Sequence, residues 1–279
     1  MILDCAGKPL DLTHPQVMGI LNVTPDSFSD GGQFLAQDSA LAQAKQMMTD
    51  GAGIIDVGGE STRPGAAVVS VEEEISRVVP VIEAIHSEID IPISIDTSKP
   101  DVMQAAVNAG ASLINDVRAL QVEGALQVAA SLDVPICLMH TQGTPQTMQD
   151  NPKYNDVVTE VVDFLLHRVS VCEQVGISRN KLILDPGFGF GKRATHNLQL
   201  MKHLGKLIEQ NLPVLVGVSR KSMIGKLLNV SVEERLAASL SLAALSVWQG
   251  AKIIRSHDVR ETVQAIMMCD HVMKVQDFD

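Results

Sequence analysis

The segment IIDVGGESTRPGAAVVSVEEEISRVVPVIEAIHSEIDIPISID, residues 54–96, decides the fold of this chain. It begins and ends with short runs of β-branched and aliphatic residues, Ile54 to Val57 and Ile93 to Ile95, which predict two strands. From Val71 to Ile89 apolar residues return every three or four positions, and this spacing predicts a helix. A strand followed by a helix and a second strand indicates parallel pairing of the two strands.

The same alternation continues along the chain. Helical periodicity recurs from Asp156 to Val175 and from Val232 to Val247. Because no glycine fingerprint of the GxGxxG type follows the first strand, the repeated units predict a closed (β/α)8 barrel, a TIM barrel of the α/β class, rather than an open doubly wound sheet. The eight apolar runs that predict its strands are Val17 to Leu21, Ile54 to Val57, Ile93 to Ile95, Leu113 to Ile114, Ile136 to Met139, Leu182 to Leu184, Val214 to Val218 and Lys252 to Ile254.

Length and the lack of linkers favour a single domain. The chain has 279 residues, and barrels of this type commonly run to about 250 residues as one unit. The sequence contains no Pro-rich or Ser-rich linker and no low-complexity tract that would separate two domains. We therefore predict one barrel domain over residues 1–279, with a short lead-in at residues 1–16.

Composition excludes several classes of partner. Hydrophobic residues make up 46% of the chain but aromatic residues only 3%, so the core must consist of aliphatic residues and Met. A net charge of −11, from 22 basic against 33 acidic residues, opposes binding to nucleic acid or to an anionic membrane surface. No run of about 20 apolar residues predicts a membrane span. Four scattered cysteines without a CxxC pair and an N-terminus without a signal-peptide core favour the cytoplasm.

Polar side chains stand at or just after the end of nearly every predicted strand. Because the carboxyl ends of barrel strands meet at one mouth, we expect these side chains to form the active site. The alternative is that they only cap the following helices, which explains one such residue better than eight. The eight residues are Asn22, Asp56, Asp96, Asn115, His140, Asp185, Ser219 and Arg255.

Four loops add chemistry to this mouth. Residues 22–32 (NVTPDSFSDGG) and 58–66 (GGESTRPGA) are typical of mobile lids, and Phe28 either covers a flat substrate or folds back onto the barrel. In DPGFGFGK, residues 185–192, Phe190 is placed to stack on a ring. In GVSRKS, residues 217–222, we expect Lys221 rather than Arg220 to face a ligand. Arg255 and His257 predict a phosphate site, although His257 could instead cap the last helix.

Seven motifs together are similar to those of the dihydropteroate synthase family in its stand-alone bacterial form. They are MGILNVTPDSFSDGG, DVGGESTRPGA, ISIDTSKP, INDV, LDPGFGFGK, GVSRKSMIG and RSHDV. The resemblance implies condensation of 6-hydroxymethyl-7,8-dihydropterin diphosphate with p-aminobenzoate to give 7,8-dihydropteroate and diphosphate. It also implies a requirement for Mg2+, inhibition by sulfonamides and a homodimer.

The resemblance further implies a role for each matching residue. Asp96, Asn115, Asp185 and Lys221 would bind the pterin, lined by Met139 and Phe190. The diphosphate would be held by Thr62, Arg255 and His257, and Mg2+ by Asn22. The p-aminobenzoate site would consist of Phe28, Arg63, Pro64, Phe190, Ser219 and Lys221. The catalytic set would be Asp96, Asp185, Lys221, Arg255 and His257.

The residue types suit this chemistry. A reduced pterin has a guanidine-like edge of N–H donors, which buried carboxylates bind through charge-assisted hydrogen bonds. Our mechanistic hypothesis is that the bond to diphosphate breaks before the amine attacks, and that the two lids order only after diphosphate and Mg2+ bind. Two rival hypotheses are a barrel that transfers a methyl group from methyltetrahydrofolate to a corrinoid protein and a pterin carrier without turnover. Neither of them uses the predicted phosphate site.

Overall fold

The structure, a computed structural model, describes residues 1–23, 32–61, 69–143, 148 and 152–275, with the backbone alone for residues 32–36. Four predicted site residues, Phe28, Thr62, Arg63 and Pro64, lie outside the described residues. The searched part of the chain contains no helix that is both long and apolar enough to cross a membrane.

A hairpin precedes the barrel. Strands β1, Ile2–Cys5, and β2, Lys8–Asp11, pair antiparallel. The turn between them places Ala6 and Gly7 in the left-handed region, with φ of 50° and 84°. Buried side chains of the hairpin join the apolar cluster at the bottom of the barrel, so the hairpin closes that end. The sequence analysis predicted only a lead-in here.

Eight parallel strands form the barrel. In spatial order they run β8-β7-β6-β5-β4-β3-β10-β9, and a parallel bridge from Leu184 to Val214 brings the two outer strands together. The predicted (β/α)8 barrel is therefore confirmed. The seventh strand of the barrel, β9, is shorter than predicted and has only two residues. The strands are β3 Gln16–Asn22, β4 Ile54–Gly58, β5 Ile93–Asp96, β6 Leu113–Asp116, β7 Ile136–Met139, β8 Leu182–Asp185, β9 Leu215–Val216 and β10 Ile253–Ser256.

Helices surround the strands. The two predicted at 71–89 and 156–175 are confirmed to within one residue at each end, because side chains fix their starts: Ser70 accepts from the backbone N–H of Glu73, and Asp156 accepts from that of Val158. The helix predicted from Val232 begins later, after a 3-10 turn. The helices are α1 Gly32–Thr49, α2 Val71–Glu88, α3 Pro100–Asn108, α4 Ala125–Leu132, α5 Val157–Gln174, α6 Ala194–Lys202, α7 Gly205–Ile208, α8 Ser222–Leu228, α9 Leu236–Trp248 and α10 Val259–Lys274.

The strand interior is layered, and the layering positions the site. Side chains two residues apart on a strand lie on the same face. The lower layer is apolar and buried together with the hairpin; it contains Met18, Ile54, Leu113, Cys137, Ile183, Leu215 and Ile253. Two residues further along each strand, toward the carboxyl end, stand Ile20, Asp56, Asn115, Met139, Asp185, Gly217 and Arg255. The charged groups of the barrel interior, including Asp96 on β5, thus stand in its upper layer.

Candidate active site

One arginine joins two buried carboxylates at the mouth. Arg255, on β10, donates from Nε to Oδ2 of Asp56 at 2.6 Å and from Nη2 to Oδ2 of Asp96 at 2.8 Å. Asn115 donates from Nδ2 to the same Asp56 oxygen at 3.2 Å. Strands β4, β5, β6 and β10 therefore bring their terminal side chains together, as the sequence predicted.

The two carboxylates keep acceptor capacity. Oδ1 of Asp56 and Oδ1 of Asp96 are buried and have no hydrogen-bond partner among the described residues. Burial raises the pKa of Asp96 to about 7, against the charge of Arg255, which lowers it; Asp56 adds to the rise. A ligand that offers N–H donors would satisfy these oxygens and favour the ionised form of Asp96.

A third buried carboxylate ends β8. Oδ1 of Asp185 accepts from the backbone N–H of Gly187 at 2.7 Å. Burial raises the pKa of Asp185 to about 6, while the Gly187 hydrogen bond and the nearby Lys221 lower it. Gly187 has a φ of 68°, and a Cβ there would lie 1.9 Å from the carbonyl oxygen of His140, so only glycine fits this turn.

Lys221 and Phe190 face each other across the mouth. Nζ of Lys221 lies 4.2 Å from the centre of the Phe190 ring, a cation–π contact. Burial lowers the pKa of Lys221 to about 8, and the charge of Arg255 lowers it further, whereas Asp185 and Asp96 raise it. The predicted pterin and p-aminobenzoate residues Lys221 and Phe190 are thus neighbours in the structure.

Arg220 points away from this pair. Its left-handed backbone, with a φ of 52°, separates its side chain from that of Lys221. The guanidinium pairs with both oxygens of Asp258, at 2.9 Å and 2.5 Å. We expected Lys221 rather than Arg220 to face the ligand, and this geometry agrees.

Ser219 and His257 form a pair at the ends of β9 and β10. Oγ of Ser219 lies 3.0 Å from Nδ1 of His257 and also accepts from the His257 backbone N–H at 3.2 Å. With the backbone bond filling one acceptor position, the hydroxyl can donate to Nδ1, which places the ring proton on Nε2. Arg255 contacts two carboxylates, and His257 contacts Ser219.

Two further predicted residues, Asn22 and Met139, lie at the same mouth. Oδ1 of Asn22 is 3.8 Å from the position a Cβ would take on Gly58, which places this amide beside Asp96, whose own Cβ lies 3.6 Å from that position. Met139 is buried at the end of β7. No group of three or more His, Cys, Asp or Glu side chains that could hold a metal occurs among the residues searched.

Lys99, which follows β5, links the two ends of the loop between β4 and α2. Nζ of Lys99 donates to Oε2 of Glu60 at 2.7 Å, to the carbonyl oxygen of Val69 at 2.8 Å and to Oε2 of the buried Glu74 at 2.5 Å. Glu60 and Val69 flank residues 62–68, which lie outside the described residues. The sequence analysis had no signal for this contact because Lys99 follows a different strand.

Two residues were missed as members of the site. Asp56 was recognised as a strand-end residue but received no binding role, although its position two residues after Ile54 identifies it as facing inward. Lys192, the last residue of the motif DPGFGFGK, was given no role, yet its side chain is 2% exposed and surrounded by polar atoms. A lysine in a glycine-rich loop gives no sequence signal that it turns inward.

A cavity of about 200 Å3 opens beside the Phe190 loop. It is lined by the start of α6 and the start of α8, and it is rich in cations. Its lining residues are Pro152, Gly189, Lys192, Arg193, Ala194, Asn197, Ser222, Met223 and Lys226.

Comparisons with known proteins agree with this geometry. The family model described as pterin binding enzyme matches residues 18–257. A dihydropteroate synthase of Escherichia coli (strain K12) is 54% identical over 277 residues, 99% of this chain and 98% of that protein. The crystal structure of the Yersinia pestis dihydropteroate synthase with a sulfonamide drug complex has a TM-score of 0.94 and 53% identity, and covers 99% of this chain and 100% of that one.

A third match includes a product. The dihydropteroate synthase of Xanthomonas albilineans in complex with 7,8-dihydropteroate has a TM-score of 0.90 and 46% identity, and covers 99% of this chain and 100% of that one. The match extends over the whole barrel, including its upper polar layer. The chain therefore belongs to the dihydropteroate synthase family of pterin-binding enzymes.

Proposed function

We propose that the barrel mouth binds the two substrates of the dihydropteroate synthase reaction around the buried charge network. The chain is a transferase that condenses 6-hydroxymethyl-7,8-dihydropterin diphosphate with p-aminobenzoate, giving 7,8-dihydropteroate and diphosphate. The observation that carries our assignment of roles is the set of three buried carboxylates, Asp56, Asp96 and Asp185, opposed by Arg255 and Lys221.

The pterin ring belongs over the carboxylates. Its N–H donors would satisfy Oδ1 of Asp96, which lacks a partner among the described residues, and the ionised Asp185. Each charge-assisted hydrogen bond of this kind contributes about 1.5 to 3 kcal/mol. Asn115 uses its amide N–H toward Asp56, so its carbonyl oxygen remains to accept from the ring. Met139 and Phe190 supply apolar walls.

The diphosphate belongs beside β10. Arg255 engages the carboxylates through Nε and one N–H of Nη2, so Nη1 and the second N–H of Nη2 can donate to a phosphate oxygen. His257, whose Nδ1 contacts Ser219, adds an imidazole donor beside it. Thr62 would complete the set, and it lies outside the described residues.

Magnesium fits this donor set only with help from the substrate. The amide oxygen of Asn22 is the kind of hard ligand that Mg2+ prefers, and no cluster of three or more His, Cys, Asp or Glu among the searched residues competes for the ion. Mg2+ commonly takes one or two protein oxygens together with substrate phosphates and water. When bound, it would neutralise charge on the diphosphate; Asn22 would be its protein ligand.

The p-aminobenzoate ring belongs beside the Phe190–Lys221 pair, with Ser219 near by. The basic cavity next to this pair, with Arg193 and Lys226, suits the substrate carboxylate. Phe28, Arg63 and Pro64 would cover the ring and lie outside the described residues. A sulfonamide that mimics p-aminobenzoate would compete for the same position, as the drug complex of the Yersinia pestis relative supports.

For the order of bond changes we keep the hypothesis of early cleavage. The bond between the pterin methylene carbon and the diphosphate oxygen breaks, and its electron pair leaves with the diphosphate. Asp96 and Asp185 stabilise the resulting pterin cation, which the arylamine then attacks before losing a proton. Scrambling of bridging and non-bridging diphosphate oxygens without p-aminobenzoate is the expected signature; its absence under conditions that allow return contradicts early cleavage.

We further propose a homodimer in the cytoplasm. Five large apolar side chains on α9 and α10 are exposed, namely Leu245 at 51%, Trp248 at 57%, Met268 at 65%, Val272 at 53% and Met273 at 44%. Exposed apolar side chains grouped on two helices that pack together favour an interface with another protein. The four cysteines are free thiols, which fits a reducing compartment.

The test of the proposed function is diphosphate release by the purified protein with dihydropterin diphosphate and Mg2+, with and without p-aminobenzoate. Release coupled to 7,8-dihydropteroate is the expected result. Pterin binding without release would favour a carrier, and would first remove the roles given to Arg255 and His257.

A further inference from the structure

The ammonium of Lys192 is enclosed by its own loop. Nζ lies 2.9 Å from the carbonyl oxygen of Gly187, 3.0 Å from that of Phe190 and 3.2 Å from that of His140. It also lies 2.9 Å from Nδ1 of the His140 ring. The side chain is 2% exposed, and no carboxylate pairs with it among the salt bridges of the described residues.

These contacts fix the loop that carries two site residues. The Gly187 carbonyl bound by Lys192 belongs to the same residue whose N–H donates to Asp185 at 2.7 Å. The Phe190 carbonyl bound by Lys192 belongs to the residue whose ring faces Lys221. The rest of the loop is held from outside, because Tyr154 donates to the Gly191 carbonyl at 2.9 Å.

The uncompensated charge of Lys192 acts on Asp185. When it is protonated, a buried cation whose partners are neutral carbonyls acts on nearby groups with little screening, because the medium around it has a low dielectric constant. Burial raises the pKa of Asp185, and the Gly187 hydrogen bond, Lys221 and Lys192 oppose that rise. Other titratable or charged groups that face Asp185 are Cys137 and His140 from β7 and its end, Asp56 from β4, Asp96 from β5 and Arg255 from β10.

We propose that Lys192 is a positioning residue of the reaction, which fixes the Asp185–Phe190 loop through its carbonyls and supports the ionised state of Asp185 without contacting the pterin. The proposal rests on the pterin-binding role proposed for Asp185. Burial lowers the pKa of Lys192 to about 7, so it is protonated over the range in which Asp185, with a pKa of about 6, gains its proton. The pKa of His140 is lowered to about 3, first by burial and then by Lys192, so its ring stays neutral and Nδ1 accepts.

The test is the pH dependence of binding of 6-hydroxymethylpterin, a probe that binds without turnover. In the wild type, affinity falls as pH drops through the pKa of Asp96 and then that of Asp185, because each protonated acid loses its charge-assisted bond; the lower-pH limb belongs to Asp185. Lys192→Met removes the cation, so we expect the Asp185 limb to move to higher pH by about half a unit or more, which is about a twofold or greater loss of affinity at pH 6 and about threefold or more at lower pH. Lys202→Met, at an exposed position on α6, is the matched control and should leave the limb in place.

Two further variants separate the possible outcomes. Lys192→Arg keeps the charge but not the geometry of the ammonium, so kcat should fall while the limb stays near the wild-type pH; this variant also serves if Lys192→Met does not fold. An even loss of affinity at all pH values, or an equal shift in Lys192→Arg, would overturn the charge role.

In an Asp185→Asn background Lys192→Met should move no limb. If Asp185→Asn alone binds like wild type, the role of Asp185 is wrong, whatever Lys192 does.

Discussion

At the scale of single residues, the site depends on one acceptor oxygen that serves two donors. Oδ2 of Asp56 accepts from Nε of Arg255 and from Nδ2 of Asn115, and the Asp56 side chain is fully buried. Asp56 therefore orients both groups that we assign to the substrate. It also raises the pKa of Asp96, so its charge affects a third member of the site.

Asp56→Asn should separate these effects. The amide has nearly the same volume but lacks the charge, so Arg255 loses a charge-assisted partner and Asn115 faces a weaker acceptor. We expect kcat/KM for the pterin diphosphate to fall about 10- to 100-fold, corresponding to roughly 1.5 to 3 kcal/mol. Because Asp56 raises the pKa of Asp96, its removal should also move the Asp96-dependent acid limb to lower pH.

Steady-state kinetics between pH 5 and 9 check both expectations. Asp90→Asn is the control, since the Asp90 side chain is 96% exposed. Wild-type kcat/KM in Asp56→Asn would show that Arg255 and Asn115 keep their positions without it.

At the scale of elements, the turn after β8 determines where its side chains lie. Gly187 takes a left-handed conformation against the carbonyl of His140, which lies just past the end of β7. The neighbouring strand end and the turn are therefore in direct backbone contact. This backbone contact therefore helps to position Asp185, the Lys192 ammonium and the Phe190 ring.

Gly187→Ala should displace the turn. A Cβ would lie 1.9 Å from a backbone oxygen, so the loop has to move rather than a flexible side chain. We expect kcat to fall by more than tenfold, with a loss of stability. Gly176→Ala is the matched control: its φ is 93° and no atom lies within 4 Å of the added Cβ, so only backbone strain of about 1 to 2 kcal/mol is expected.

Urea denaturation together with kcat measurement distinguishes the two substitutions. An equal loss of stability with activity retained in both variants would contradict a special role for the β8 turn.

At the scale of the whole molecule, the exposed apolar surface of α9 and α10 is the feature with consequences for assembly. Trp248→Glu should dissociate the proposed dimer, because a charge at an apolar interface is left without a partner. Light scattering should then report the mass of one chain instead of two. Met48→Glu, on α1 at 43% exposure, is the control. A wild-type mass of a single chain at micromolar concentration would contradict the dimer itself.

The sequence alone was sufficient for the barrel because the relevant signals are local. Runs of aliphatic residues and helical spacing of apolar residues are properties of neighbouring positions; all eight strands lie within or overlap the predicted runs, and two of the three predicted helices have the expected bounds to within one residue. The hairpin at residues 2–11 was not predicted, because two four-residue strands with polar residues between them show little hydrophobic periodicity. Strand ends were predictable for the same local reason, which is why Asp96, Asn115, Asp185 and Arg255 were found.

The partners of those residues were decided only by the tertiary structure. Arg255 binds Asp56 across 199 positions of sequence and Asp96 across 159. Which strand ends meet depends on the register and closure of the barrel, and these follow from the packing of all eight strands together. The inward position of Lys192 was also decided by the tertiary structure. Its acceptors are backbone carbonyls, and every residue has a carbonyl, so the sequence does not identify which ones bind the lysine. The sequence thus determined which groups stand at the mouth, and the closed barrel determined which of them pair through hydrogen bonds and opposite charges.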